Sequence, residues 1–476
     1  MDISSFLWHD YETFGANARL DRPCQFAAIR TDSQLNPIDD PIVWFCQPSA
    51  DTLPHPKACW ITGITPQHAI AHGMPEPKFA HAVFDEMSQA GTCTVGYNNL
   101  RFDDEVSRHL FWRNFIDPYQ REYANGNSRF DLINVLRLTR ALRPEGLAWA
   151  EYDDGQPSFK LEDLATANGL DATQAHDALV DVENTLALAQ RLRQAQPKLW
   201  AWALDLRQKS TVDALLSQGQ PLVYASAYFA QRPGSVALIS PLGRHPTIKN
   251  QWWVWDLSFH PQDILESKGH RLGDDDLADM PLPVSTIKIN ACPMVAPLGV
   301  VDAETENRLG VDIEQMRQHH QWWLEHPDHA RDLLAHLGSR TPLFDPAPDP
   351  EVDLYGGFVP RQDQALTRRI AGMTADELAA LDSPFSDSRL NTLLFRYRAR
   401  HWPHTLSDAE QADWHRDCRE RLVIGREGLG PTLEEYHLEL EQLAQAHPDA
   451  DDLLTALRAW PDQLKCLIDG NHNSST

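Results

Sequence analysis

At 476 residues the chain is longer than one ordinary hydrophobic core organises, so two to four domains are expected. Its 42% hydrophobic and 23% charged residues fit a globular protein, and no apolar run approaches the about 20 residues that span a bilayer. A formal charge of −26 argues against non-specific duplex binding, yet net charge leaves room for a cationic track on an acidic body.

The opening MDISSFLWHD has no basic segment followed by an apolar stretch, so no secretory leader is expected. Cys24, Cys46, Cys59, Cys93, Cys292, Cys418 and Cys466 are scattered and contain no CxxC pair. Neither a zinc site nor a disulfide framework is signalled, and reduced thiols in a cytoplasmic protein are the simplest expectation.

The first ~200 residues read as mixed α/β. Strands are predicted at Phe6–Glu12, Cys24–Arg30 and Ile42–Cys46. Thr65-Pro66 then sets a helix N-cap before a proline at the first helical position. Phe79, Val83, Phe84 and Met87 form a helical stripe, followed by a strand at Thr92–Tyr97. Helices are expected over Asp103–Phe115, Asp131–Leu142, Lys160–Asn168 (stopped by Gly169) and Asp177–Arg193. Past Gln196-Pro197 the character changes, and LVYASAYF, SVALIS and WWVWDL predict a small β-rich unit. TPLFDPAPDP (Thr341–Pro350) reads as a linker. A helical region follows, with capping-box signatures at Thr374/Glu377, Ser407/Glu410 and Thr432/Glu435, and a disordered tail is expected at NHNSST.

Acidic residues supply the chemical signal. Asp10 and Glu12 share one face of a predicted strand that also carries Phe6, Leu7 and Trp8. Two carboxylates there repel and lose solvation unless a cation compensates them; the competing reading is a strand end where both face water. Asp103, Asp104 and Glu105 open a helix, which favours acids for its dipole alone. Asp177 and Asp181 lie four apart on one helical face, behind His176. Taken together, Asp10, Glu12, Asp103 and Asp181 can converge on two divalent ions and support phosphodiester hydrolysis. Oxygen-only ligands suit Mg²⁺ or Mn²⁺, and a neutral His176 can take a proton from the attacking water.

Asp10-Tyr11-Glu12, FDDE at Phe102–Glu105 and HDAxxxD at His176–Asp181 resemble the exonucleases that use four acids and a histidine base. FLWHDYETFG, ITGITPQ, GYNNLRFDDEV, RNFIDPY, ALRPEG and AHDALVDV are similar to bacterial exonuclease I, as are KINACP, LYGGF and LLFRYRAR further on. The resemblance implies an α/β ribonuclease-H-like exonuclease domain (1–196), a small Src-homology-3-like β-barrel domain (197–343) and an all-α C-terminal domain (351–470). It implies release of nucleoside 5′-monophosphates from the 3′ end of single-stranded DNA, in repair and recombination. Asp10, Glu12 and Asp181 would bind one metal, Asp103 would help hold a second, and His176 would be the base.

Lys160 stands where the family commonly has an arginine beside the terminal nucleotide; it gives a point charge in place of a planar fork. Glu12 joins Lys160 as an expected substrate contact. Arg101, Arg108, Tyr119, Tyr123 and Arg137 mix cations and rings as sequence-tolerant strand binding requires, though each could equally be a surface or core residue. Arg389, Arg396, Arg398, Arg400 and His401 form a basic run, read either as a solvated face or as a distant channel wall. The family also binds the acidic C-terminal tail of single-stranded-DNA-binding protein. Arg143 and Trp202 lie in fitting segments, while Pro297–Glu306 departs by carrying acids and no arginine. A monomer is expected. The competing functions are an RNA-trimming exonuclease of the same superfamily and a strand-binding module with an inactive site.

Overall fold

The computed structural model describes residues 3–171, 177–266, 282–339, 347–426, 429–448 and 450–469. Its first unit is built on a mixed sheet ordered β3-β2-β1-β4-β5. The strands are β1 (Ser5–Thr13), β2 (Pro23–Thr31), β3 (Ile42–Phe45), β4 (Thr92–Gly96) and β5 (Ser128–Asp131). β1 is central, antiparallel to β2 and parallel to β4. Phe6 and Trp8 enter one core and Leu7 and Tyr11 the opposite one, so both faces of β1 are covered by protein.

The parallel pairings require crossovers. Helices α1 (Pro56–Thr62), α2 (Pro66–His72) and α3 (Glu76–Ser88) connect β3 to β4, and α4 (Asp103–Arg113) connects β4 to β5. The predicted cap forms: Thr65 Oγ1 accepts from the His68 N–H at 3.2 Å, with Pro66 at the first helical position. Next come α5 (Leu132–Leu142), a hairpin of β6 (Ala150–Glu151) and β7 (Pro157–Ser158), α6 (Leu161–Ala167) and α7 (Ala178–Ala195). α7 packs across β1 and β2.

After α8 (Pro197–Asp205) and α9 (Lys209–Ser217) comes an antiparallel sheet ordered β11-β10-β9-β8-β12. It comprises β8 (Leu222–Ala225), β9 (Val236–Arg244), β10 (Gln251–Asp256), β11 (Val284–Lys288) and β12 (Met294–Pro297), with α10 (Pro261–Glu266) between β10 and β11. LVYASAYF is not one strand. It stops at Ala225 because Ser226 accepts from the Tyr228 N–H and turns the chain into a 3₁₀ segment. Helices α11 (Ala303–Leu309), α12 (Ile313–Glu325) and α13 (Pro327–Ser339) complete this unit, and Trp323 packs edge-on against buried Trp255. Its β8 rests on α5, so the first two units share one hydrophobic core.

The third unit is helical: α14 (Gln364–Ile370), α15 (Ala375–Ala379), α16 (Ser388–His401), α17 (Asp408–Arg419) with a π-helical extension over Glu420–Ile424, α18 (Leu433–Ala446) and α19 (Asp451–Asp469). The capping boxes at Thr374/Glu377, Ser407/Glu410 and Thr432/Glu435 all form. Most of the predicted linker lies outside the described residues, but its end is anchored. Trp112 Nε1 donates to Pro350 O at 2.8 Å, and Asp349 and Glu351 are buried.

Those acids belong to an internal ionic network that joins the third unit to the first. Arg22 reaches Glu351 at 2.5 Å, Arg400 reaches Asp51 at 2.8 Å and Glu351 at 2.6 Å, and Arg421 reaches Asp51 at 2.5 Å. Arg396 contacts Asp349 at 2.7 Å and Asp417 at 3.1 Å. Arg396 and Arg398 are buried and Arg400 is nearly so, so these three members of the basic run are not a solvated face. Among the described residues, no helix is long and apolar enough to cross a membrane.

Candidate active site

β1 carries Asp10 and Glu12 on the face turned toward α7, following Phe6 and Trp8 by strand alternation. Asp177 caps α7 by accepting from the N–H groups of Leu179 at 3.0 Å and Val180 at 3.3 Å. Asp181 follows one turn later. A carboxylate oxygen from each of Asp10, Glu12 and Asp181 falls within 4.8 Å of the others. Asp103, first residue of α4, comes in from the β4 side, and its Oδ1 accepts from the Tyr11 N–H at 3.1 Å.

Crowding marks the electrostatics. Burial, then Asp103, Glu12 and Asp181, hold the Asp10 carboxyl well above its usual range. Burial and Asp181 push Glu12 to about 9; burial and Asp104 push Asp103 to about 8. Asp10, Glu12 and Asp103 crowd with Asp181, and the four carboxylates form a donor set that fits a hard divalent cation. Asp104 is different. Burial by itself would raise it, but Arg121 at 2.5 Å and Arg129 at 2.7 Å outweigh that and hold it below its usual range.

Two grooves meet at these carboxylates, with Asn98 on the wall of both. One, of about 1250 Å³, runs past Glu12 between Arg19, Lys57, Ile61, Arg101 and Phe102. The other, of about 900 Å³, runs past Asp181, Arg137, Phe159 and Lys160, and Gln231 and Ser235 of the second unit close it. Lys160 is the N-cap of α6, exposed, with Nζ 3.5 Å from Glu162. The Arg137 guanidinium lies 5.3 Å from the Phe159 ring centre and donates to Asn134 at 2.7 Å.

The remaining expected contacts separate. Arg101 is exposed on the Glu12 groove. Arg108 is taken up by Glu122 at 2.7 Å, Glu105 at 2.6 Å and Tyr355 at 3.2 Å, bracing the first unit against the third. Tyr119 and Tyr123 line a third groove, of about 390 Å³, together with Phe358, which is 92% exposed. His176 lies outside the described residues.

Asp131 is a residue that the spacing arguments passed over. Its carboxylate accepts from the N–H groups of Asn98 at 2.9 Å, Leu100 at 3.4 Å and Ile133 at 3.1 Å, and so fixes the loop that delivers Asp103. Asn98 takes φ 63°, a left-handed turn that asparagine tolerates. The available signal was an aspartate between a short apolar run and a helical stripe, the signature of a helix cap.

The sheet order, the helix across it and the cluster on its central strand define a class, the exonucleases that work with divalent metal ions. Consistent with this, residues 7–189 match the family model described as Exonuclease. Residues 207–337 match the exonuclease I SH3-like domain and residues 348–464 the exonuclease I C-terminal domain. Exodeoxyribonuclease I of Escherichia coli K12 is 40% identical over 96% of both chains. That of Haemophilus influenzae is 37% identical over 95% of this chain and 97% of its own. The chain therefore belongs to the exonuclease I family of exodeoxyribonucleases. Ribonuclease T of Cronobacter sakazakii, by contrast, is 26% identical over only 40% of the chain and 83% of its own length.

Among solved structures, E. coli exonuclease I in complex with a dA16 oligonucleotide superposes with a TM-score of 0.89, at 38% identity over 97% of this chain and all (100%) of its own. A zinc-ion-bound E. coli exonuclease I–ssDNA complex gives 0.86 at 39% identity, over 97% and 99%. An SSB/exonuclease I structure with the inhibitor CFAM gives 0.86 at 38% identity, over 98% and 99%.

Proposed function

We propose that this chain removes nucleotides from the 3′ end of single-stranded DNA, releasing nucleoside 5′-monophosphates, in DNA repair and recombination. The observation that carries the reading is the convergence of Asp10, Glu12 and Asp181 where two grooves meet. Asp10, Glu12 and Asp181 would hold one divalent ion, and Asp103 would help hold a second, with Mg²⁺ the expected metal and Mn²⁺ a substitute. When bound, such ions lower the pKa of water and neutralise charge developing on the leaving oxygen.

The chain's own residues do the rest. His176 takes the proton of the water that attacks the terminal phosphodiester. The bond from phosphorus to the 3′ oxygen of the penultimate nucleotide breaks, and the terminal nucleotide keeps its 5′-phosphate. The Asp131-held loop fixes Asp103, so Asp103 needs no reorganisation. Lys160 and Arg137 attract backbone phosphate from one groove and Arg101 from the other. Tyr119, Tyr123 and Phe358 offer stacking faces to bases further along.

A relative solved with SSB supports a second contact, with the acidic tail of single-stranded-DNA-binding protein. Arg143 sits 3.7 Å from Asp302, and Arg308, which donates to Ala141 O at 3.0 Å, supplies beside it a cation that Pro297–Glu306 lacks. The test of the main activity is 3′-labelled single-stranded DNA with Mg²⁺, run beside matched RNA and an EDTA control. Mononucleotides released from DNA in the metal-containing arm are expected. Intact DNA there, or faster loss of RNA, would overturn the reading.

A further inference from the structure

The wall of the Glu12 groove is built from two units. α1, in the first unit, supplies Lys57 and Ile61, and α18, in the third, supplies Glu439. Glu439 makes two contacts across the boundary: one carboxylate oxygen accepts the Lys57 N–H at 3.1 Å, and the other lies 3.2 Å from His55 Nδ1. His55 in turn is tied to the catalytic strand. Its own N–H donates to Phe14 O at 2.7 Å, directly after β1, and its Nε2 lies 3.9 Å from Asp21. Gly15 packs so closely here that a Cβ would fall 2.6 Å from the His55 ring and 2.1 Å from Asp21 Oδ2. A displacement of His55 is therefore passed to the turn that follows Glu12.

We propose that Glu439 is a positioning residue: through His55 and the Lys57 N–H it holds α1 and the Thr13–Gly15 turn in a protonation-dependent clasp that sets the width of the Glu12 groove. The inference rests on the reading of that groove as a DNA track.

The groups facing His55 are Asp21 from its own unit and Glu435 and Glu439 from α18, with Lys57 beside Glu439. The Glu439 hydrogen bond, opposed in part by burial and aided by Asp21, raises the imidazole above its ordinary value. His55 depresses Glu439 in return, although burial alone would raise it. The imidazolium–carboxylate bond is thus complete below the His55 pKa and weakens to a neutral bond above it. Strand affinity should fall as pH rises through that range, and the chemical step should be little affected.

The test compares wild type, Glu439→Gln and His55→Gln in two readouts between pH 6 and 8.5. These are the Kd for a fluorescein-labelled oligonucleotide by anisotropy in EDTA, and kcat and KM with Mg²⁺. Glu439→Gln keeps an acceptor for the Lys57 N–H, and so keeps the fold. At pH 6 it should raise Kd and KM about fivefold, with kcat within about twofold of wild type. At pH 8.5 it should converge on wild type, and His55→Gln should follow the same curve. A Glu439→Gln Kd that parallels wild type across the range, or a fall in kcat at constant KM, would overturn the proposal. Wild type that leaves single-stranded DNA intact would instead sink the parent reading. The His55 ring proton shift, titrated in wild type and Glu439→Gln, would still report the clasp.

Discussion

Asp181 stands one turn inside α7, where it meets the β1 pair without disturbing the Asp177 cap. Asp181→Ala should therefore leave folding and oligonucleotide binding in EDTA close to wild type. Its kcat should fall at least roughly 100-fold, because a metal ligand contributes several kcal/mol and each 1.36 kcal/mol is a factor of ten. Single-turnover rates beside anisotropy would separate the two effects. The site acids also give the metal-free protein a signed pH dependence. Glu12 at about 9 and Asp103 at about 8 hold protons that their unfolded counterparts release near 4. The folded state binds the extra protons, so stability is lost as pH rises from about 4 toward 9. The Tm in EDTA should fall between pH 6 and 9, and excess Mg²⁺ at pH 8.5 should restore it. Glu12→Gln should flatten the slope. Asp10 and Glu12 could be singled out in the sequence because paired acids in a core strand demand compensation, and Asp103 and Asp181 because they complete a two-metal set and fall in motifs that resemble the family. Arg108 could not be sorted from the true groove residues, because Glu122 and Tyr355 reach it only through the fold.

Elements were legible where local chemistry sets them. A short apolar run marked β1, Pro66 behind Thr65 marked α2, and three capping boxes marked α15, α17 and α18. β5 was missed, being only four residues long and a strand because β4 pairs with it in parallel. LVYASAYF was over-extended, since Ser226 ends the strand with a side-chain bond that hydrophobicity does not register. Asp131 connects this scale to the site, joining the end of β5, the cap of α5 and the loop before α4. Asp131→Ala leaves the Asn98, Leu100 and Ile133 N–H groups without their acceptor. It should cost about 1–3 kcal/mol in urea unfolding and lower kcat with little change in KM. A variant with unchanged kcat would show that the loop holds Asp103 without it.

Across the whole molecule, Glu351 is the meeting point of Arg22, Arg396 and Arg400. Glu351→Ala should destabilise the chain by about 3–5 kcal/mol, because buried guanidinium groups lose their counter-charge. Salt screens buried pairs poorly, so the loss measured in urea should be nearly equal at 0.1 and 1 M NaCl. Arg396 and Arg400 of this network were visible in the sequence within a basic run, but their partners lie up to 349 positions away and could not be. Enclosing them has an outward effect as well. Arg22, Arg396, Arg400 and Arg421 cannot displace ions condensed on a nucleic acid, which leaves Arg19, Lys57, Arg101, Arg137 and Lys160, among the described residues, as the lysine and arginine side chains lining the two grooves near the carboxylates. Five phosphate contacts on a single strand correspond to a slope of roughly −3.5 in log K against log salt. Rings such as Phe358 then carry a larger share of the affinity, and the chain should stay on its strand at ionic strengths that strip a densely basic binder away.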